Sequence, residues 1–281
     1  MSYHFYKMHG CGNDYIYFDT WQQPIPQPGV LSRQISHRHF GVGGDGIVLI
    51  GPSHIADAQM RMFNTDGSEG RMCGNAIRCV GRFLYEKKGL QRDTLTVETL
   101  SGVKTLHMHT QQGQVTGVTV DMGLPILDPP SIPVELPGSQ VVDHPLRVAD
   151  QDFRITCVSM GNPHCVIFVQ QDPFSLNLPR LGPCFEKHPL FPQGVNTEFV
   201  RVLSPTHLQM RVWERGSGET WACGTGACAT AVAAILNGHS PQGQDIRLSL
   251  RGGDLTIRWE GKQVWMTGPA TFVFEGEWPE Q

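Results

Sequence analysis

The sequence lacks the features that mark several common classes of protein. No segment approaches the roughly 20 apolar residues of a membrane helix, and the opening MSYHFYKMHG has no apolar stretch of signal-peptide length. The formal net charge is -4, from 22 basic and 26 acidic residues, so clustered Lys and Arg for binding nucleic-acid phosphates are missing. We therefore expect a cytoplasmic protein that acts on a small molecule and binds neither nucleic acid nor membrane.

The sequence also lacks Cys-x-x-Cys pairs and zinc-finger spacings, which argues against a structural zinc. Its eight cysteines should be reduced in a chain of this kind. A free cysteine is usually a small buried apolar residue. We expect that role for six of them: Cys11, Cys79, Cys157, Cys165, Cys184 and Cys228.

The two halves of the chain resemble each other. Cys73-Gly74 and Cys223-Gly224 are 150 residues apart, as are Met60 and Met210. Further matches occur in the same order along the chain and indicate a duplication. They pair Gly12-Asn13 with Gly161-Asn162, Gly41-Val42 with Gly194-Val195, Asp45 with Glu198, Arg61 with Arg211, Asn64 with Glu214, and Glu69 with Glu219.

The same local structure is predicted in both copies. Residues 57–64 and 207–214 read as strands, each followed by a Gly/Ser-rich loop and a Cys-Gly turn. Helices are then predicted over residues 76–88 and 226–236, the second apolar on all sides and therefore buried. Further strands are predicted at 94–100, 103–109, 115–121, 153–159, 246–251, 255–259 and 271–274. The fold class is thus α+β, and each half reads as many antiparallel strands with one buried helix.

A Pro-rich stretch, residues 125–137, is expected to separate the domains. The segment Gly41-Val-Gly-Gly-Asp-Gly46 spells a dinucleotide-binding fingerprint, but residues 47–50 after it read as a strand. A true fingerprint opens a helix, so this match is a false positive.

Cys73 and Cys223 each precede a glycine where a helix is predicted to begin. Unpaired N-H groups and the helix dipole stabilise a thiolate or a bound carboxylate there, and the pKa of such a thiol can fall from about 8.5 to roughly 3.5–7.5. If the halves pack about a pseudo-twofold axis, both helix starts face one cleft. Two thiols could then move protons on opposite faces of one carbon. This predicts a cofactor-independent amino-acid epimerase with Cys73 and Cys223 as its acid/base pair.

Several motifs around the two cysteines occur together in one known family. They are Phe63-Asn64, Asp66-Gly67-Ser68-Glu69, Met72-Cys73-Gly74-Asn75, Gly161-Asn162-Pro163-His164, Gly194-Val195-Asn196-Thr197-Glu198, Glu214-Arg215-Gly216 and Ala222-Cys223-Gly224-Thr225-Gly226. With matches from Gly12 to Ala270, they resemble the diaminopimelate epimerase family. The resemblance implies interconversion of LL- and meso-diaminopimelate without pyridoxal phosphate or metal, for lysine and peptidoglycan precursors, by a homodimer. It also implies the fold: two pseudo-symmetric domains, each a mostly antiparallel set of strands around a central helix. The domains are residues 1–122, to which 268–281 return, and residues 123–267.

The resemblance assigns roles to residues of this sequence. His164 and Glu214 tune the pKa values of the thiols. The substrate-binding residues are Asn13, Asn64, Gly74, Asn75, Asn162, Asn196, Glu214, Arg215, Gly224 and Thr225. Of these, Gly74, Asn75, Gly224 and Thr225 present backbone N-H groups to the reacting carboxylate, and Arg215 binds the distal carboxylate.

The sequence departs from the family at two positions. Gly46 stands where many members carry a substrate-contacting glutamine, so no binding role is expected for it. Phe274 stands where some members have a tyrosine at the dimer contact.

Two other functions are consistent with these motifs. One is a proline or hydroxyproline racemase of the same fold, which would typically have histidine at the position that Asn75 occupies here. Arg215 and Glu214 also indicate that the substrate has a second charged end. A non-catalytic amino-acid-binding protein would use the same cleft without exchanging the substrate's α-hydrogen.

Overall fold

The structure is a computed structural model that describes residues 2–280. It divides into two compact units. The first contains the residues up to Val120 together with those from Thr267 onward, and the second contains Asp121–Met266.

The chain forms eighteen strands and four α-helices within the described residues. Up to residue 121 the elements are β1 (Ser2–Gly10), β2 (Asn13–Asp19), α1 (Pro28–Ile35), β3 (Gly46–Gly51), β4 (Ala58–Asn64), β5 (Glu69–Gly70), α2 (Gly74–Glu86), β6 (Thr94–Thr99), β7 (Gly102–Gln111) and β8 (Gln114–Asp121). They continue with β9 (His144–Val148), β10 (Gln151–Ser159), β11 (Pro163–Phe168), α3 (Leu178–Glu186), β12 (Asn196–Ser204), β13 (His207–Glu214), β14 (Gly218–Thr220), α4 (Gly224–Leu236), β15 (Ile246–Leu250), β16 (Gly253–Trp259), β17 (Val264–Gly268) and β18 (Thr271–Pro279). None of these helices has the length and apolar character needed to cross a membrane.

Both units repeat one order of elements. From β1 to β7 the first unit runs strand, strand, helix, three strands, helix, two strands, and the second unit repeats this from β10 to β16. Strand pairing repeats as well: β1/β2 and β10/β11 are antiparallel, whereas β2/β3 and β11/β12 are parallel. Likewise, β4/β6 and β13/β15 are parallel. The α+β class predicted from the sequence is confirmed, and the duplication extends to strand order and direction.

The second helix of each unit is its central one. Helix α2 packs against β1, β2 and β7, and α4 packs against β10, β11, β12, β15 and β16. Ten of the thirteen residues of α4 are buried, as its apolar composition predicts. Both helices begin two residues earlier than predicted, at Gly74 and Gly224, because Cys73 and Cys223 themselves occupy the N-cap positions with extended backbones.

The expectation of a single helix in each half was wrong. Each unit has a further short helix, α1 and α3, which covers its sheet before the third strand. Helix α1 begins at Pro28, whose fixed φ suits a first turn. Helix α3 carries Pro183 inside it, a residue that indicates a loop when the sequence is read alone.

Two further expectations were wrong. The Pro-rich stretch 125–137 does not lie outside the folded units, since Ile132 and Val134 belong to the apolar core of the second unit around Phe185 and Phe199. Cys184 is exposed on α3, whereas the other five cysteines expected to be buried are buried. In both cases tertiary packing decides exposure, and residue type alone does not.

Candidate active site

Cys73 lies at the N-terminus of α2, held among side-chain amides. Its Sγ donates to Asn13 Oδ1 at 3.2 Å, and Asn75 Nδ2 donates to the same oxygen at 3.3 Å. The turn between β1 and β2 positions Asn13, because Cys11 and Gly12 both have positive φ, 53° and 80°, as a tight two-residue hairpin requires. The structure therefore brings together three of the predicted residues of the first unit.

A carboxylate that the sequence did not single out lies behind Asn13. Asn13 Nδ2 donates to Asp45 Oδ2 at 2.7 Å, and the backbone N-H of Asp14 donates to the same oxygen at 3.2 Å. Arg38 donates to the other oxygen, Oδ1, at 2.9 Å. Both oxygens of Asp45 thus have partners, one of them a cation. The only sequence signal for Asp45 is its match to Glu198 in the repeat.

Arg78 is a second residue that sequence reasoning missed. It is fully buried on α2 and donates to Asn75 Oδ1 at 2.9 Å, to the Gly74 carbonyl at 3.1 Å and to the Pro269 carbonyl at 3.1 Å. Because a guanidinium has only donors, it fixes the amide of Asn75 with its NH₂ group toward Asn13. An arginine on an amphipathic helix normally indicates the exposed face, so the sequence alone does not predict that Arg78 is buried beside Asn75.

Asn64 ends β4, directly opposite Gly46 on β3. Its Nδ2 donates to Ser68 Oγ at 3.0 Å. Gly46 has φ of +150°, and a Cβ at this position would lie 2.1 Å from the Phe63 carbonyl oxygen. This conformation and this close approach leave no room for a side chain at position 46.

Cys223 lies at the N-terminus of α4 and is 5% exposed. Its Sγ accepts a hydrogen bond from the Gly226 N-H at 3.3 Å and lies 3.5 Å from Thr225 Oγ1. Burial nevertheless raises the pKa of Cys223 well above its usual range, and the charges of Glu214 and Glu198 raise it further. Desolvation and the two carboxylates therefore oppose the hydrogen-bond donors of the helix start at Cys223.

Glu214 ends β13 beside Cys223. Its Oε1 accepts a short hydrogen bond from Thr220 Oγ1. Burial raises the pKa of Glu214, while hydrogen bonds from Thr220 and Cys223 and the charge of His164 oppose the rise. The Glu214 carboxyl is therefore placed to exchange a proton with the Cys223 thiol.

His164 is fully buried on β11, in a chain of polar contacts. Its Nδ1 lies 2.7 Å from Glu198 Oε1, and its Nε2 lies 3.1 Å from Asn162 Oδ1. His164 is also the cross-strand neighbour of Asn196. The second unit thus gathers Asn162, His164 and Asn196, together with Glu198, which the sequence did not single out.

Arg215 follows β13 directly. Its backbone N-H donates to Asn196 Oδ1 at 2.8 Å, and its guanidinium donates to the Gln193 carbonyl at 2.7 Å. The Arg215 side chain is exposed, so further guanidinium donors face solvent. Gly224 and Thr225 form the first turn of α4, as Gly74 and Asn75 do for α2.

No group of three or more His, Cys, Asp and Glu residues that could hold a metal ion occurs between residues 2 and 280.

Comparisons with known proteins place the chain in one family. The sequence profile described as diaminopimelate epimerase matches residues 5–127 and 156–273. A diaminopimelate epimerase of Desulfovibrio desulfuricans is 54% identical over 98% of this chain and 97% of its own length. One of Methanococcus maripaludis is 52% identical over 97% of this chain and 98% of its own length. The chain belongs to the diaminopimelate epimerase family.

More distant proteins share the fold. A phenazine biosynthesis protein of the PhzF family from Bacillus anthracis superposes with a TM-score of 0.71 at 17% identity, over 99% of both chains. A hydroxyproline epimerase from Agrobacterium vitis superposes with a TM-score of 0.69 at 15% identity, over 98% of this chain and 90% of its own.

Proposed function

We propose that this chain interconverts LL- and meso-2,6-diaminopimelate, without pyridoxal phosphate, with Cys73 and Cys223 as the acid/base pair. The observation that carries the proposal is that each unit of this family member begins its central helix with a cysteine. The two units would be the domains of a duplicated enzyme. The expected domain ranges, residues 1–122 with 268–281 and residues 123–267, differ from the units by two residues at the first division and by one at the second.

The reaction needs a proton acceptor and a proton donor. One cysteine, as thiolate, removes the α-hydrogen as a proton and leaves its electron pair on the carbon. The other, as thiol, gives a proton to that carbon from the opposite face. N-H groups of a helix start, such as those of Gly74, Asn75, Gly224 and Thr225, stabilise the negative charge that develops on the adjacent carboxylate.

The remaining polar residues would hold the substrate. Asn13, Asn64, Asn162 and Asn196 offer amide donors and acceptors to its amino and carboxyl groups. Glu214 would pair with an ammonium group, and the exposed guanidinium of Arg215 would pair with the distal carboxylate. His164 and Glu214 would adjust proton transfer at Cys223.

The cellular setting follows from the proposed activity. The product would supply lysine and peptidoglycan precursors, and the enzyme would act in the cytoplasm. We also propose a homodimer. The exposed apolar side chains of Val273 and Phe274 on β18 support that association, because each is about half exposed.

A proline or hydroxyproline racemase is the alternative that the fold supports, since a hydroxyproline epimerase shares it. Proline has no second charged end for Arg215 to recognise. Activity on proline with none on diaminopimelate would establish this alternative.

Paired cysteine variants test the mechanism. Cys73→Ser and Cys223→Ser should each lower kcat by about 10² to 10⁴-fold, the usual contribution of one acid/base group. Cys79→Ala and Cys228→Ala are matched controls, because these cysteines are buried in the same two helices. They should retain most of the activity, measured by chromatographic separation of the diaminopimelate stereoisomers. Near-normal turnover by either serine variant would contradict the two-thiol mechanism.

A further inference from the structure

Glu198 on β12 is a buried acid with an unusual environment. It is 0% exposed, and its Oε1 is engaged by His164 Nδ1 at 2.7 Å. Its Oε2 is buried and has no hydrogen-bond partner among residues 2–280. A buried carboxylate oxygen without a partner is costly, so its presence beside a functional site indicates a role there.

Gly226 links this carboxylate to Cys223. A Cβ at Gly226 would lie 2.6 Å from Glu198 Oε1 and 3.2 Å from Cys223 Sγ. The carboxylate and the sulfur therefore approach one backbone position in the first turn of α4. A side chain at residue 226 would displace one or the other.

The groups that face Cys223 are mostly acidic. Burial is the first cause that favours the thiol form of Cys223, and the charges of Glu214 on β13 and Glu198 on β12 add to it. On β11, His164 is the basic member of the cluster, and its Nδ1 is engaged by Glu198. Thr225 on α4 adds a neutral hydroxyl.

The first unit surrounds its cysteine differently. Asp45, the repeat counterpart of Glu198, has Arg38 on one oxygen and Asn13 on the other. The counterpart of Glu214 there is Asn64, which carries no charge. In the first unit, the counterpart of Glu198 is therefore paired with a cation and the counterpart of Glu214 is uncharged.

We propose that Glu198 is a positioning residue that fixes the ring of His164 and keeps Cys223 in its thiol form in the free protein. Cys223 is then the proton donor of the pair before substrate binds. The assignment of the donor rests on the proposed epimerase function, whereas the effect of Glu198 on the Cys223 sulfur does not.

The test follows the protonation of both thiols without substrate. Iodoacetamide reacts with the thiolate, and mass spectrometry of peptides reports Cys73 and Cys223 separately in one sample. The alkylation rate is measured from about pH 6 to about pH 11, which spans the ordinary thiol range. Glu198→Gln keeps the shape and the acceptor toward His164 but removes the charge. Thr197→Val is the matched control, since Thr197 is also buried with an unpartnered hydroxyl and points to the opposite face of β12.

In Glu198→Gln, the midpoint of the pH dependence of Cys223 alkylation should fall by at least about one pH unit. Below the midpoint, this corresponds to a tenfold gain in the thiolate fraction. The midpoint for Cys73 should stay unchanged, as should both midpoints in Thr197→Val. A change in Cys223 thiolate below about twofold, or an equal shift at both cysteines, overturns the proposal. If Glu198→Gln does not fold, the proposal is tested on the unaltered protein. A midpoint of Cys223 alkylation below about pH 8.5, the ordinary thiol value, then overturns the proposal.

The two hypotheses fail separately. A selective shift at Cys223 in a protein that does not epimerise diaminopimelate supports the charge effect and removes the proposed function. Epimerisation of diaminopimelate without a selective shift at Cys223 supports the proposed function and removes the charge effect of Glu198.

Discussion

Among single residues, Gly46 shows how one backbone conformation removes a side chain from the site. Its φ of +150° and the 2.1 Å approach of a Cβ to the Phe63 carbonyl leave no room for any other residue. Under the proposed function, substrate contacts on this side would come from neighbouring residues such as Asn64, which lies opposite Gly46.

Replacing Gly46 by alanine tests that conclusion. Gly89→Ala is the control, because Gly89 also has positive φ, 71°, but has nothing within 4 Å of a Cβ. The control should lower the free energy of unfolding by about 1 kcal/mol, the cost of the left-handed conformation alone. Gly46→Ala should cost at least about twice as much, since a clash is added. Urea unfolding measures both, and equal losses would contradict the clash.

Glu214 gives the stability of the protein a predictable dependence on pH. Burial raises its pKa above the ordinary 4.5, so the folded state binds more protons than the unfolded state above that value. The free energy of unfolding contributed by Glu214 is therefore greatest below about pH 4.5 and is lost as pH rises through the raised pKa.

Glu214→Gln should remove this loss, so its stability relative to the unaltered protein should increase with pH above about 4.5. Thr220→Val should act in the opposite direction, because it removes a hydrogen bond that opposes the rise in the Glu214 pKa. Urea unfolding at several pH values measures the difference. Parallel pH curves for Glu214→Gln and the unaltered protein would refute the assignment.

At the scale of elements, each strand that leads to a cysteine carries the same ion pair. Arg61 of β4 contacts Glu69 of β5 at 2.7 Å, and Arg211 of β13 contacts Glu219 of β14 at 2.9 Å. The second pair is more buried: its side chains are 9% and 15% exposed, against 44% and 28% in the first. Arg211 also donates to the Pro173 carbonyl.

The difference in burial predicts different costs for the same substitution. Glu69→Gln should lower the free energy of unfolding by less than about 1 kcal/mol, as for an exposed pair. Glu219→Gln should cost about 2 kcal/mol or more, because it leaves Arg211 partly buried without its bidentate partner. Thermal unfolding of the two variants side by side measures this, and equal costs would show that burial does not control the strength of the pair.

The elements that the sequence predicted are those in which apolar residues recur with the regular spacing of a strand or a helix. The strands that end at Asn64 and Glu214, and the helices after Cys73 and Cys223, follow from alternation and from helical spacing. Helix α3 was missed because Pro183 lies inside it. The Pro-rich stretch 125–137 was misread because the burial of Ile132 and Val134 depends on contacts with Phe185 and Phe199, which no local pattern contains.

At the scale of the whole molecule, the duplication made the candidate site predictable. It singled out Cys73 and Cys223 among eight cysteines, and the family that they indicated was confirmed by comparison. Duplication could not reveal Arg78 or the contrast between Asp45 and Glu198. Their environments depend on side-chain contacts that differ between the two halves.

The exchange of solvent hydrogen during turnover tests the central claim most directly. The protein is incubated in heavy water with LL-diaminopimelate, with the meso isomer, or with proline, and early products are analysed by mass spectrometry. Two thiols acting as separate acid and base predict one solvent deuterium at the inverted α-carbon of the product. The remaining diaminopimelate substrate should be nearly unlabelled, and proline should be unchanged. No deuterium uptake from intact protein, or equal early labelling of substrate and product, would contradict the account.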